Sequence, residues 1–203
     1  MVEGARQKTM NPQQERSAVA GETTGGVELA LAHASRLLDT DAMLAAEQAR
    51  AILDVVPRHP MARLILGIAA RRGGDPEGAV AELEPLAATQ PGAPAVHCEL
   101  GLAYGDLGRG EAAIASLRRA VSLKPGLAEA WKALGDHLAA TGEAAAADAA
   151  YANQIKAATR DPRLLAPAAA LVDDRIPEAE AMLREHLRHH PEDVAAIRML
   201  AEV

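Results

Sequence analysis

Three histidines near the C-terminus, His186, His189 and His190, have the residue type and spacing best suited to chemistry. Residues four apart share one face of a helix, so His186 and His190 could offer two imidazoles to a metal ion. No cysteine or third ligand type is arranged nearby in sequence, and no metal site is assigned. His97 and Cys98 could act as base and nucleophile. Neighbours on a helix point about 100° apart, however, so imidazole and thiol diverge. His97 therefore reads as a packed, hydrogen-bonded histidine. Gly21, Gly25 and Gly26 suggest a phosphate loop, but no strand precedes them and no Gly-Lys-Ser/Thr follows. These readings assign no catalytic residue, no metal and no cofactor, and the chain is not expected to be an enzyme.

Composition narrows the remaining classes. The 203 residues carry a net charge of −7, with 49% hydrophobic and only 1% aromatic content. Stacking of single-stranded bases has almost no aromatic surface to use, and Arg71-Arg72 and Arg118-Arg119 are too short and isolated to form a phosphate-binding surface. No nucleic-acid partner is expected. Cys98, the single cysteine, excludes an internal disulfide. Nothing resembles a signal peptide or an apolar run of 18 residues, so the expectation is no membrane and a cytoplasmic location.

The elements that would position any site repeat. Leu66-Gly67, Leu100-Gly101 and Leu134-Gly135 recur at a step of 34 residues. Gly74, Gly108 and Gly142 keep the same step, as do Ala79, Ala113 and Ala147, and then Leu83, Leu117 and Tyr151. Prolines close the units at Pro57, Pro91 and Pro125, and Thr159 replaces the next. Small residues let helices approach closely, glycine caps a helix in the left-handed conformation, and proline stops the next one.

Within residues 94–127, His97, Leu100, Gly101, Tyr104, Ala113, Leu117 and Pro125 fill the pattern W-x2-L-G-x2-Y, A-x3-F, P, with only the Trp and Phe slots changed. This stretch resembles a tetratricopeptide repeat. The resemblance implies an all-α, right-handed solenoid of antiparallel helix pairs. The predicted organisation is a disordered tail over 1–25, where Met10 offers a second start, and a solenoid over 26–203. The solenoid divides into a degenerate repeat 26–59, full repeats 60–93, 94–127 and 128–161, a shortened repeat 162–193 and a terminal half-repeat helix 194–203. Pro85 predicts a bend or early end in its helix. Pro167 predicts a helix that is distorted or starts near Ala166, after which the turn Asp173-Asp174-Arg175 is shorter by two residues.

A helix pair of this size cannot bury its apolar side alone, so repeats stack and expose a concave surface. The function predicted is a non-enzymatic scaffold whose groove takes a peptide or helix of a partner protein. In a tetratricopeptide solenoid the first helix of each pair lines the groove. Its groove-facing positions here are Met61, Leu64, Ile68 and Arg71; Cys98, Leu102 and Gly105; Glu129, Lys132 and Asp136; and Arg198 and Glu202. The groove thus runs from apolar to charged. Of the Lys and Asn residues that clamp a C-terminal carboxylate in chaperone-tail domains, only Lys132 has a counterpart. The occupant expected across Leu64, Ile68 and Leu102 is either a partner segment or the chain's own N-terminal helix.

From His97 onward, stretches such as HCELGLAYGDLGRGEAAIASLRRAV and RIPEAEAMLREHLRHHPEDVAAIRMLAEV look like the tetratricopeptide region of bacterial sulfotransferase proteins. The alternative that this implies is a substrate-recruiting portion, truncated or separately encoded, of such an enzyme. No catalytic residue carries over. In the last helix the apolar residues span roughly 240°, against about 100° for an ordinary surface helix. Ala195, Met199 and Val203 form the row expected to stay exposed, which implies either an end-to-end homodimer or a fragment of a longer protein.

Overall fold

The computed structural model describes residues 12–159 and 162–201. Among them the chain is all-α, with eleven helices, one 3₁₀ turn and no strand. Helices α1 (Pro12–Leu37) and α2 (Ala42–Val55) form the first pair. They are followed by α3 (Pro60–Arg72) with α4 (Pro76–Thr89), α5 (Pro94–Asp106) with α6 (Gly110–Leu123), and α7 (Ala128–Ala140) with α8 (Ala144–Ala158). A 3₁₀ turn (Pro162–Leu164) leads into α9 (Leu165–Val172), which pairs with α10 (Ile176–His189), and α11 (Val194–Ala201) follows.

The starts of these helices are written locally. Proline opens α3, α4 and α5, where its missing N–H would have no helical partner. Asp41 and Asp75 cap α2 and α4 by accepting from the amides of Leu44 and Gly78 at 3.0 and 2.8 Å. The first helix of each pair from α3 onward ends in a left-handed residue, Gly74, Gly108, Gly142 and then Asp174. Just beyond it, the amides of Asp75, Arg109, Glu143 and Arg175 reach back to the carbonyls of Ala70, Tyr104, Leu138 and Ala170. This six-residue bond is the Schellman stop that lets the chain reverse within three residues.

The core is strung along the stack as separate layers. Leu83 packs with Val96 and Leu100 in one layer; Leu117 packs with Leu134 and Leu138 in the next. Within a pair the helices touch at the glycine of the recurring Leu-Gly step. A Cβ on Gly101 would lie 2.6 Å from Leu117 Cγ, and one on Gly67 would lie 2.7 Å from Leu83 Cγ. Only a missing side chain permits that approach.

Several expectations are corrected. The tail expected over 1–25 lies outside the described residues up to residue 11, as does Met10, but from Pro12 the chain is helical as part of α1. Gln13, Gln14, Glu15, Arg16 and Ala18 are good helix formers, and they extend a helix already anchored downstream. Pro85 does not end α4, which continues to Thr89. Both Pro85 and Ala81, whose carbonyl loses its donor, are on the exposed side. Water can satisfy that carbonyl while buried Ala79, Val80, Leu83 and Leu86 hold the helix on both sides of the break. Pro167 behaves as expected, as the third residue of a helix that starts at Leu165.

Helix α11 docks on a different face from the one predicted. Met199 is buried, whereas Val194 and Ile197 are 67% and 46% exposed, and Ala195 is exposed. Glu202 and Val203 lie outside the described residues. The rotation follows the repeat register: Ala196 occupies the third position of its helix, where Ala62, Val96 and Ala130 are also buried. Fitting a small residue against the previous pair overrides the wider apolar arc.

Candidate functional site

Helices α3, α5 and α7 lie side by side and touch in sequence along the stack. The residues expected to line a groove fall into three groups. Met61 is 48% exposed, and Ile68 and Leu102 are half-buried against the core layers. Leu64 and Cys98 are buried, so both serve the core more than the surface. Glu129, Lys132 and Asp136 are exposed. Arg198, also exposed, sits instead by a separate small hollow beside Ile155, Thr159 and Met199. Helix α1 packs on α2 and α3 but leaves Met61 open. Beside Met61 a cleft of about 350 Å³ opens between the starts of α3 and α5, lined by Leu64, Pro94, Ala95 and Val96 among others.

The structure joins residues that the sequence left apart. Arg71 Nε donates to Glu99 Oε2 at 3.1 Å, and its Nη1 lies 3.5 Å from Asp106 Oδ2. Lys132 Nζ donates to Asp136 Oδ2 at 2.7 Å, and Tyr151 Oη donates to the other oxygen at 3.0 Å. Glu99 and Asp106 were missed because a bond spanning 28 residues leaves no local trace. The period offered the only signal, since Glu99 replaces the apolar Ile65 and Ala133 found one repeat away on either side. Burial raises the Glu99 carboxyl above its ordinary value although Arg71 opposes it. Burial, then the charges of Glu99 and Glu129, push the Cys98 thiol up to about 12. A thiol so far from ionising is not a nucleophile at neutral pH.

His97 has the structural role expected of it. Its Nε2 donates to the carbonyl of Pro91 at 3.1 Å. One repeat later Trp131 Nε1 donates to Pro125 O at 2.8 Å, and one repeat earlier Arg63 Nη2 donates to Pro57 O at 3.3 Å. Three different side chains at the same position thus clamp the proline that ends the preceding pair, which fixes the spacing of α3, α5 and α7.

The C-terminal histidines are engaged with protein partners. His186 Nε2 lies 2.8 Å from Asp193 Oδ2, and Asp193 Oδ1 accepts from the amides of Ala195 and Ala196 at the start of α11. The His186 and His190 rings stand 4.8 Å apart, and His190 Nε2 is 2.8 Å from Arg163 Nη1. Among the described residues, no three His, Cys, Asp or Glu side chains are grouped to hold a metal. No described helix is long and apolar enough to cross a membrane.

Residues 31–94 and 94–127 each match a family model described as tetratricopeptide repeat, so the chain carries such repeats over 31–127. Solved structures agree in fold. The chain is similar to TTC0263, a thermophilic TPR protein in Thermus thermophilus, at 23% identity and a TM-score of 0.59, over 87% of this chain and 97% of that one. It is similar to MamA at 21% identity and a TM-score of 0.55, over 80% of this chain and 86% of that one. It is also similar to MamA (41-end) from Desulfovibrio magneticus RS-1 at 22% identity and a TM-score of 0.57, over 64% and 75% of the two chains. No curated protein matches the chain.

Proposed function

We propose that the chain is a non-enzymatic protein-interaction scaffold of tetratricopeptide repeats, acting in the cytoplasm, which presents the concave side of α3, α5 and α7 to a peptide or helix of a partner protein. The observation that carries this reading is the partly open apolar strip of Met61, Ile68 and Leu102, set on helices that clamps hold at fixed spacing. Solenoids use such concave surfaces for binding, and a rigid one loses little freedom on association. Affinity capture from a source lysate with mass spectrometry tests it. Ile68→Glu and Leu102→Glu should each abolish capture while leaving the helical signal intact, and partner capture unchanged in both would refute the groove.

The sulfotransferase-associated reading rests on the wording of residues 97–203 alone, and the same capture experiment would detect a sulfotransferase chain as partner. Of the row expected to support an end-to-end homodimer Met199 is buried, so a contact through α11 would fall to the exposed Val194 and Ile197. Light scattering over a concentration series, with Ile197→Lys as control, tests that contact.

A further inference from the structure

The groove carries an imbalance of charge that narrows the class of partner, and the inference rests on the groove being the docking surface. Arg71 bonds two carboxylates, Glu99 and Asp106, and a third, Glu129, stands on the first turn of α7. Arg72 is bonded to Asp39 and the carbonyl of Leu38, although its charge also reaches Glu99, and Lys132 is paired with Asp136. Glu129 is exposed and has no ion pair among the described residues. Helices α5 and α7 touch, and the charge of Glu129 reaches both Cys98 and Glu99, so the carboxylates act as one negative patch. The apolar strip lies on the same helices, with Ile68 three residues before Arg71 and Leu102 three after Glu99.

An occupant that covered this surface with apolar or acidic groups would bury carboxylates without a counter-charge, which costs far more than the apolar contact returns. Lys and Arg avoid that cost, because their methylene stems lie on aliphatic surface while the cation reaches past it. We infer that the groove takes a segment of a partner protein in which Lys or Arg alternates with aliphatic residues, the cations meeting Glu99, Asp106 and Glu129 and the aliphatic side chains resting on Ile68 and Leu102. Electrostatic complementarity then selects the partner and speeds encounter, while the apolar contacts hold it.

Selection of a phage-displayed library of random peptides, each about 12 residues long to span the three groove helices, against the full chain tests this. Peptides that lose binding to Ile68→Asn, which removes the aliphatic contact without adding a charge, should be enriched in Lys and Arg over Asp and Glu. Their affinity should fall about tenfold on Glu129→Lys, the size expected for reversing one exposed charge near another, and should weaken with added salt. Thermal unfolding of Glu129→Gln, which loses the charge and keeps the shape, checks that the fold is intact. Ile68-dependent peptides with no basic bias would overturn the inference and leave the groove reading standing, whereas the absence of any Ile68-dependent peptide would overturn both. Binding that emerges only when residues 1–11 are removed would assign the groove to the chain's own Arg6 and Lys8. A concentration-dependent dimer abolished by Glu129→Lys would assign it to a second copy. Either result refutes a basic partner.

Discussion

Replacing Gly101 by Ala is the most direct test of how the pairs are held together. In an open helix the change should stabilise by about 1 kcal/mol, because alanine is the better helix former. Here the new Cβ would lie 2.6 Å from Leu117 Cγ, 3.0 Å from its Cδ2 and 3.2 Å from the carbonyl oxygen of Ala113. Leu117 is fully buried and cannot swing away, and the backbone carbonyl cannot move without α6. Overpacking of this kind costs about 1–3 kcal/mol, so the net effect is a loss of up to about 2 kcal/mol. Leu117→Ala alone should cost about 2–5 kcal/mol through the cavity it leaves. In the double variant the side-chain clash is gone, and Gly101→Ala should turn from costly to neutral or favourable, a coupling of about 1–3 kcal/mol. Trp131, the single tryptophan, packs against the same cluster as Leu117, so its fluorescence in urea titrations reports this layer even when the whole array does not unfold in two states. An additive cycle, or a Gly101→Ala chain more stable than the parent, would refute the reasoning.

Asp174 holds the left-handed turn at φ 56° where the three preceding pairs use glycine, so Asp174→Gly should stabilise by up to about 1 kcal/mol in thermal unfolding, and a loss would show that its side chain matters more than its backbone. Asp193 is held below the usual carboxylate range first by the hydrogen bond to His186 and then by the amide of Ala196. Its contribution is present above the unfolded value, about pH 4, and disappears as the pH falls through the lower folded value. Amide exchange in α11, corrected for intrinsic rates, should quicken between about pH 5 and about pH 3 in the parent and much less in Asp193→Asn; an equal response in both would remove the assignment. Cys98, with its ionisation pushed up to about 12, should resist iodoacetamide at about pH 8 until the chain is denatured, and rapid native labelling would contradict its burial.

The architecture was legible because its determinants are local and periodic. The Leu-Gly pairs, the turn glycines and the terminal prolines each answer a backbone requirement that recurs every 34 residues, and each can be found by its step alone. Asp174 broke the glycine series and still met the requirement, since aspartate tolerates the left-handed region. The groove was legible only in part. Position along the helix singled out Ile68, Leu102 and Glu129, which the structure leaves half-buried or exposed, but it could not tell that Leu64 and Cys98 turn into the core or that Arg71 reaches a neighbouring helix for Glu99. Those outcomes depend on how far each helix rotates when it packs. Met199 shows the same dependence: its helix has the wide apolar arc expected, and the register of Ala196 decided which part of the arc faced inward.

The proline clamps also set how this chain would deform. Each of the joints before α3, α5 and α7 is crossed by a donor, from Arg63, His97 and Trp131, so bending there must lengthen a hydrogen bond. The joint before α9 has Thr159 in place of the proline, and Leu165, which stands at the donor's position, has no N–H in its side chain and is 52% exposed. Treated as a spring, the solenoid has a tight coil through residues 60–140, where tension must stretch a hydrogen bond at each of the three joints before the helices change their pitch.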